Sequence, residues 1–305
     1  MGGGAVEEIK LVEVGPRDGF QNVCDFIPTE IKLNIIDKIA QAGVRNIMIT
    51  SFVSPRAIPQ MRDAREVAGV CLERYPSLHL SALVPNLRGA QDALAAGIRE
   101  LAIVISVSEA HNRANVNRAP AESFAELGRI VDRCPEARVT LDLATAFGCP
   151  FTGQIPLEQV QAAAQQGYDL GIRSMTLCDT IGAAHPAQVR RYVRALLEQF
   201  PDVEFGVHIH DTRNMGMVNT LAAIECGITS VQAALGGLGG CPFAPGASGN
   251  TSSEDLVYML NHMGYRTGVE EQKLLEAARY AHAHIQGNFS GHQIKIAPDK
   301  TTMFG

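Results

Sequence analysis

The chain has 305 residues, of which 46% are hydrophobic and 19% charged, a composition typical of a folded globular protein with a large core. Its formal net charge is -6 at pH 7 and it has no concentrated basic segment, which argues against a nucleic-acid partner. The sequence has neither a signal peptide nor an apolar run long enough to cross a bilayer, so we expect no membrane association.

The cysteines favour a reducing environment. There are seven of them, scattered along the chain without a C-x-x-C pair. An odd, scattered set predicts free thiols rather than a disulfide framework, and we therefore expect a cytoplasmic protein. Six cysteines are interpreted as structural and one, Cys241, as reactive.

Short runs of β-branched and apolar residues recur along the chain, with helical segments between them. The predicted strands span residues 10–14, 46–50, 79–84, 101–106, 139–143, 174–178, 204–210 and 230–235. The predicted helices span residues 31–41, 121–134, 156–166, 186–199, 252–261 and 269–285. Glycines that follow helices and precede strands, at positions 43, 97, 171 and 227, are typical helix-ending residues.

Eight βα units without a break in composition predict a single (β/α)8 TIM barrel with extra C-terminal helices. A doubly wound open sheet is the weaker alternative, because the segment after the first strand lacks the G-x-G-x-x-G pattern of that fold. The predicted organisation is a disordered N-terminal tail at 1–8, one barrel domain at 9–290 and a C-terminal tail at 291–305.

Potential metal ligands follow three of the predicted strands. His208 and His210 lie two residues apart, so their side chains point to the same side of a strand. Asp18 follows the first strand, and Asn250 ends the glycine-rich loop after the last. Because strands one, seven and eight are neighbours in a closed barrel, we expect these side chains to meet at its carboxyl end. Such a mixed set of nitrogen and oxygen ligands suits Mg²⁺ or Mn²⁺, with Zn²⁺ or Co²⁺ possible.

Each of these residues also has an ordinary interpretation. Arg17 and Asp18 could form a surface ion pair, and Cys241 could be a small buried residue. Asn250 could be a turn residue, and the glycine-rich loop lacks the G-K-[ST] ending of a phosphate-binding loop. Their occurrence together at three adjoining strand ends favours a metal site.

Three segments have distinctive sequences: VEVGPRDGFQN at 12–22, TSFVSP at 50–55 and GGCPFAPGASGN at 239–250. They closely resemble the 3-hydroxy-3-methylglutaryl-CoA (HMG-CoA) lyase family, metal-dependent TIM-barrel enzymes, and the similarity runs from residue 9 to about residue 280. The resemblance implies a carbon–carbon lyase that splits an acyl-CoA thioester into acetyl-CoA and acetoacetate, works as a homodimer and needs no redox cofactor.

The resemblance also assigns roles to individual residues. Arg17 would bind the substrate and stabilise an enolate oxygen, and Cys241 would deliver a proton from a mobile loop. The implied catalytic residues are therefore Cys241, Arg17, Asp18 and His208. The implied metal ligands are Asp18, His208, His210 and Asn250. Three residues after strand four, Arg113, Asn115 and Arg118, are candidates to meet the phosphates of coenzyme A.

The sequence departs from the family pattern at three predicted strand ends. Met48 stands where the family has a glutamate, Asp142 stands where it tends to have an aromatic or neutral residue, and RNMG at 213–216 replaces a Tyr-Gly-type continuation. We expect these positions to border the acyl pocket. HMG-CoA is the default substrate. The alternatives are a different 3-hydroxyacyl-CoA, aldol or Claisen chemistry on a 2-oxo acid, and a catalytically silent barrel that binds acyl-CoA.

Overall fold

The computed structural model describes residues 7–240 and 249–297, and in these the chain forms a closed barrel of eight parallel strands. The strands are β1 (Lys10–Glu13), β2 (Asn46–Ser51), β3 (His79–Leu83), β4 (Glu100–Ser106), β5 (Arg138–Ala144), β6 (Ser174–Asp179), β7 (Glu204–Ile209) and β8 (Ser230–Ala233). β8 pairs with β7 on one side and with β1 on the other, which closes the barrel. The predicted TIM barrel is confirmed.

Ten α-helices lie in the described residues. They are α1 (Thr29–Gln41), α2 (Ala64–Arg74), α3 (Leu87–Ala95), α4 (Glu109–Val116), α5 (Pro120–Arg133), α6 (Leu157–Asp169), α7 (Pro186–Gln199), α8 (Gly216–Ile224), α9 (Ser253–His262) and α10 (Glu271–His284). All six predicted helices are present, and α2, α3, α4 and α8 are additional. A short hairpin, Gly148–Cys149 with Gly153–Gln154, follows β5. Within the described residues no helix is long and apolar enough to cross a bilayer.

The glycines predicted to end helices have the backbone conformation that this role requires. All four have φ between 85° and 105°. At Gly43, after α1, a Cβ atom would also lie only 2.6 Å from the carbonyl oxygen of Gly268. Glycine is therefore needed at this position for both reasons.

The strands next to the predicted metal site end slightly earlier than the sequence suggests. β7 ends at Ile209, because the backbone of His210 pairs with Asn250 in an isolated antiparallel bridge. β8 ends at Ala233 and is followed by a helical turn, Leu235–Gly237. The bridge brings the segment after the glycine-rich loop back to the end of β7.

The segments predicted as tails are in part packed against the barrel. Glu8 forms a parallel bridge with Arg266. At the other end the Gly291 N–H donates to the carbonyl oxygen of Gly236 at 2.9 Å, and the His292 N–H donates to Asp255 at 2.7 Å. The packed structure thus includes residues 7–8 and 291–297. Residues 1–6 and 298–305 lie outside the described residues.

Two buried carboxyl groups connect the loops at the carboxyl end of the barrel. Glu13 accepts hydrogen bonds from the N–H groups of Gly15 and Leu235, at 2.7 and 2.8 Å, and from the Ser253 hydroxyl at 2.5 Å. Glu254 accepts from the Gly236 N–H at 2.8 Å. Burial raises the pKa of Glu13 to about 7 and that of Glu254 to about 8.

These shifts predict that the protein loses stability as the pH rises. A carboxyl group whose pKa is raised in the folded state contributes stability that is fully present below its ordinary pKa and is lost as the pH rises to the folded-state value. We expect the melting temperature of Glu254→Gln to rise relative to that of the wild type as the pH goes from 6 to 9, because the amide keeps an acceptor for Gly236 without a buried charge. A gain of about 1 kcal/mol corresponds to roughly 2 °C.

Thermal unfolding followed by circular dichroism between pH 6 and 9 measures this difference. The control is Glu276→Gln, on the exposed side of α10, which should follow the wild type at every pH. Identical pH slopes for wild type and Glu254→Gln would contradict the prediction.

Candidate active site

The carboxyl ends of β1, β7 and β8 bring the predicted metal ligands together. Asp18 lies in the helical turn Gly15–Gly19 directly after β1. His208 is in β7, His210 follows it, and the backbone of Asn250 pairs with that of His210. All four side chains are buried.

The distances between Asp18, His208 and His210 are those of a group that can hold a metal ion. The Nε2 atoms of the two histidines lie 3.0 Å apart, and His208 Nε2 lies 3.9 Å from Asp18 Oδ2. One potential ligand atom from each residue lies within 4.8 Å of the others. A divalent ion bound among them would meet two imidazole nitrogens and a carboxylate, as many protein metal sites provide.

Asn250 lies directly against this group. Its Nδ2 donates to Asp18 Oδ2 at 2.8 Å and to the carbonyl oxygen of Leu238 at 3.1 Å. Its Oδ1 is buried and has no hydrogen-bond partner in the described part of the chain. A buried amide oxygen without a partner is costly. A half-turn of the amide would direct this oxygen to the Asp18 side, so the residues present fit a divalent ion.

The charges of the site are set by burial and by close neighbours. Burial alone would raise the pKa of Asp18, but Arg17, His208 and His210 together bring it below its usual value. Burial, reinforced by His208, lowers the pKa of His210 to about 4. At neutral pH Asp18 is therefore ionised and His210 neutral, the states in which carboxylates and imidazoles bind metals.

Arg17 is fixed from two directions. Its Nη1 donates to Asp18 Oδ1 at 2.6 Å, and its Nε donates to the Met48 sulfur at 3.1 Å. Both Arg17 and Asp18 are buried, so the interpretation as a surface ion pair is wrong. The guanidinium is a permanent positive charge at the base of the site.

The three departures from the family pattern lie in different places. Met48 packs in the barrel interior with Val14, Ala102 and Ala234, beneath Arg17 and away from the lining of the large cavity. Its expected place at the border of the acyl pocket is therefore wrong. Asp142 does line the cavity, and burial raises its pKa.

The third departure, RNMG at 213–216, also lies away from the cavity lining. Arg213 instead donates to the backbone carbonyl oxygens of Ile181 and Gly182, at 3.1 and 2.8 Å. This segment therefore supports the neighbouring loop, and the expectation that it borders the acyl pocket is wrong.

A cavity of about 450 Å³ opens above the metal-ligand group. Arg17, Asp18 and the two histidines form part of its lining, and Asn115 and Arg118 contribute near α4. Arg113 instead forms an exposed ion pair with Glu109 at 2.8 Å. Of the three residues predicted to meet coenzyme A phosphates, two thus lie in the cavity wall.

The predicted proton donor, Cys241, lies outside the described residues, but Gly240 immediately before it lines the cavity. Sequence reasoning missed Gln232, whose Oε1 lies 2.9 Å from His208 Nδ1. The available signal was a polar residue inside the apolar run SVQAAL at 230–235.

Together, the barrel and its buried Asp-His-His group define a TIM-barrel protein with a group of side chains that can hold a metal ion. The HMGL-like family model matches residues 8–280, and the chain belongs to this family of lyases. The resemblance seen in the sequence motifs is therefore confirmed.

Similar proteins cover nearly the whole chain. The hydroxymethylglutaryl-CoA lyase of Bacillus subtilis is 44% identical over 276 residues, which are 90% of this chain and 92% of that protein. The (R)-citramalyl-CoA lyase of Chloroflexus aurantiacus is 41% identical over 92% of each chain. A structure of an HMG-CoA lyase from Acinetobacter baumannii, in complex with coenzyme A and 3-methylmalate, is 39% identical, with a TM-score of 0.91 and 96% of each chain covered.

The position of His210 Nε2 among the proposed ligand atoms predicts the effect of removing this imidazole. We expect His210→Ala to weaken Mn²⁺ binding more than about 100-fold, because loss of a direct ligand should exceed the 10- to 100-fold loss typical of residues that only support a ligand. Calorimetric titration of the metal-free protein with Mn²⁺ measures the affinity. The control His282→Ala removes an exposed imidazole on α10 and should leave the Mn²⁺ affinity unchanged. Equal affinities for wild type and His210→Ala would refute the ligand role.

Proposed function

We propose that this lyase cleaves 3-hydroxy-3-methylglutaryl-CoA to acetyl-CoA and acetoacetate, with a divalent metal ion as its cofactor. The observation that carries the proposal is that Arg17, Asp18, His208 and His210 all face one cavity at the carboxyl end of the barrel. The hydroxymethylglutaryl-CoA lyases among the similar proteins support the choice of substrate.

The reaction is a retro-Claisen cleavage. The tertiary hydroxyl loses its proton, the bond between C2 and C3 breaks, and the hydroxyl carbon becomes the ketone of acetoacetate. The electron pair of the broken bond passes to the thioester as an enolate, and a proton added to its carbon gives acetyl-CoA. One proton leaves the hydroxyl and one is added to the enolate carbon, so protons and electrons balance without an oxidant or reductant.

The residues of the chain divide this work. The proposed ligands Asp18, His208, His210 and Asn250 would hold Mg²⁺ or Mn²⁺, with Zn²⁺ or Co²⁺ as further candidates. The bound ion would lower the pKa of the substrate hydroxyl. Asp18 and His208 are proposed as catalytic because they would hold the metal ion beside the reacting carbon.

Two further residues are proposed to stabilise and to protonate the enolate. The Arg17 guanidinium, fixed by Asp18 and Met48, would bind the thioester oxygen and stabilise the charge that develops there. We propose Cys241 as the acid that protonates the enolate carbon. Gly240 in the cavity lining supports this role, because it precedes Cys241 directly.

We further propose that the coenzyme A phosphates meet Arg118 and Asn115, which lie in the cavity wall. The coenzyme A in the Acinetobacter baumannii complex supports this choice of partner. We also propose a cytoplasmic homodimer. The six cysteines in the described ranges are free thiols, as suits a reducing compartment.

A coupled assay for free acetyl-CoA tests the proposed reaction. With Mg²⁺ or Mn²⁺ and a reducing agent, we expect the wild type to cleave HMG-CoA and Cys241→Ser to lose turnover by about 100-fold or more while it still binds metal, because a hydroxyl is a far weaker acid than a thiol. Cys226→Ser, which changes a half-buried thiol after α8, is the control.

Two outcomes would contradict different parts of the proposal. Absence of acetyl-CoA release from any 3-hydroxy-3-alkylglutaryl-CoA, with metal bound, would refute the reaction. Cleavage by Cys241→Ser at the wild-type rate would remove Cys241 from the mechanism.

A second candidate substrate is citramalyl-CoA, which carries its carboxylate directly on the hydroxyl carbon and would give acetyl-CoA and pyruvate. Two observations favour it. Arg17 rests on the neutral thioether of Met48 where the family pattern has a carboxylate, and a carboxylate at Asp142 lines the cavity instead. The (R)-citramalyl-CoA lyase of Chloroflexus aurantiacus is also 41% identical to this chain.

Met48→Glu distinguishes the two substrates. It would place a negative charge against Arg17, as the family pattern does, and we expect the ratio of kcat/KM for HMG-CoA to that for citramalyl-CoA to rise at least about tenfold, or roughly 1.4 kcal/mol. Met48→Leu keeps the position neutral and should leave the ratio within about threefold. An unchanged ratio in Met48→Glu would show that position 48 does not set acyl specificity.

A further inference from the structure

We propose that Gln232 is a positioning residue that fixes the tautomer of His208, so that His208 presents an unprotonated Nε2 to the metal. Asp142 and Thr176 in turn fix the orientation of the Gln232 amide. The inference rests on the metal site of the proposed function. It assigns a positioning role to Gln232, Asp142 and Thr176, which are not among the proposed ligands.

The contacts form a continuous chain across the barrel interior. Gln232 Oε1 lies 2.9 Å from His208 Nδ1. On the other side of the same amide, Nε2 lies 3.2 Å from Thr176 Oγ1 and 3.4 Å from Asp142 Oδ1. All four side chains are buried, so water cannot readily replace these partners.

The strand register explains why the Gln232 side chain reaches so far. Gln232 in β8 is paired directly with His208 in β7, and Thr176 in β6 is paired with Asp142 in β5. The residue of β7 paired with Thr176 is Gly206, two positions before His208. The Gln232 side chain therefore spans from its own partner strand to the pair formed by Thr176 and Asp142.

Asp142 determines which end of the amide faces His208. Thr176 Oγ1 and Asp142 Oδ1 both accept from the NH2 group of Gln232, and this places that group at their end of the amide. A reversed amide would place oxygen against oxygen at Asp142. The amide oxygen therefore faces His208, and His208 Nδ1 must carry the proton that it accepts.

The tautomer decides whether His208 can bind metal through Nε2. A neutral imidazole protonated on Nδ1 has its free lone pair on Nε2. That atom lies 3.0 Å from His210 Nε2 and 3.9 Å from Asp18 Oδ2, within the ligand group. The opposite tautomer would point an N–H bond at the ion and exclude it.

The test measures metal affinity rather than turnover. Gln232→Met keeps the size of the side chain but removes the acceptor, and we expect Mn²⁺ affinity to fall about 10- to 100-fold, as for other residues that orient a metal-bound histidine. Calorimetric titration of the metal-free protein gives the affinity, and the visible absorption of the Co²⁺ form reports the ligand geometry.

The chain offers a matched control in Gln188→Met. Gln188 is also 8% exposed, but it lies in α7 and donates to the backbone oxygen of Phe147, away from the metal ligands. Its replacement should lower thermal stability by a similar amount and leave Mn²⁺ affinity and the Co²⁺ spectrum unchanged.

A double substitution tests which groups donate and which accept between residues 142, 232 and 208. In Gln232→Glu combined with Asp142→Asn, the introduced carboxylate accepts from His208 Nδ1–H and from the introduced amide. We expect Mn²⁺ affinity within about threefold of the wild type, in contrast to Gln232→Met. If Gln232→Met does not fold, Gln232→Asn replaces it, since its shorter amide cannot reach His208.

The outcomes separate this inference from the proposed function. Wild-type Mn²⁺ affinity in Gln232→Met, or an equal loss in Gln188→Met, would overturn the role of Gln232 and leave the metal site intact. Failure of the double substitution to restore binding would overturn the role of Asp142 in orienting the amide. A wild type that binds no Mn²⁺ would overturn the metal site and this inference together.

Discussion

The arrangement of the site depends on one fully buried carboxyl group, Glu13 at the end of β1. It takes hydrogen bonds from the turn that carries Asp18, from Leu235 before the glycine-rich loop and from Ser253 at the start of α9. A buried carboxyl group without these donors would be strongly destabilising, so the three segments must hold their positions together. Asn250, three residues before Ser253, is thereby kept beside Asp18.

Above this carboxyl group, the two oxygens of Asp18 connect the charged and polar groups of the site. Asp18 uses one oxygen for Arg17 and the other for Asn250, and the second oxygen also faces His208. Met48 gives Arg17 only a weak acceptor, which leaves more of the guanidinium charge for the cavity than a carboxylate would. The environment of Arg17 therefore favours an anionic group on the substrate or an enolate oxygen.

The sequence predicted the features that follow from periodicity and from order along the chain. Alternating strands and helices define the barrel, and closure makes β1, β7 and β8 neighbours, so the meeting of Asp18, His208 and His210 could be foreseen. The contact between Gln232 and Asp142 could not, because it depends on the register of four strands, which the sequence does not reveal. Helix α8 was missed because it begins at a glycine without a side-chain cap and buries the polar residues Asn219 and Thr220 together with its apolar ones.

Asp142 contributes both to the cavity wall and to the hydrogen bonds behind His208, and this connects the proposed substrate choice with the proposed metal binding. One part of it lines the cavity, and its Oδ1 orients the Gln232 amide that contacts His208. A substrate group that bonds to Asp142 would therefore act on a residue two hydrogen bonds away from His208, a proposed metal ligand. A change at Asp142 alone alters both the cavity wall and the support of His208. Met48 contacts Arg17, whereas Gln232 contacts His208, so substitutions at these two residues separate the proposed effects on specificity and on metal affinity.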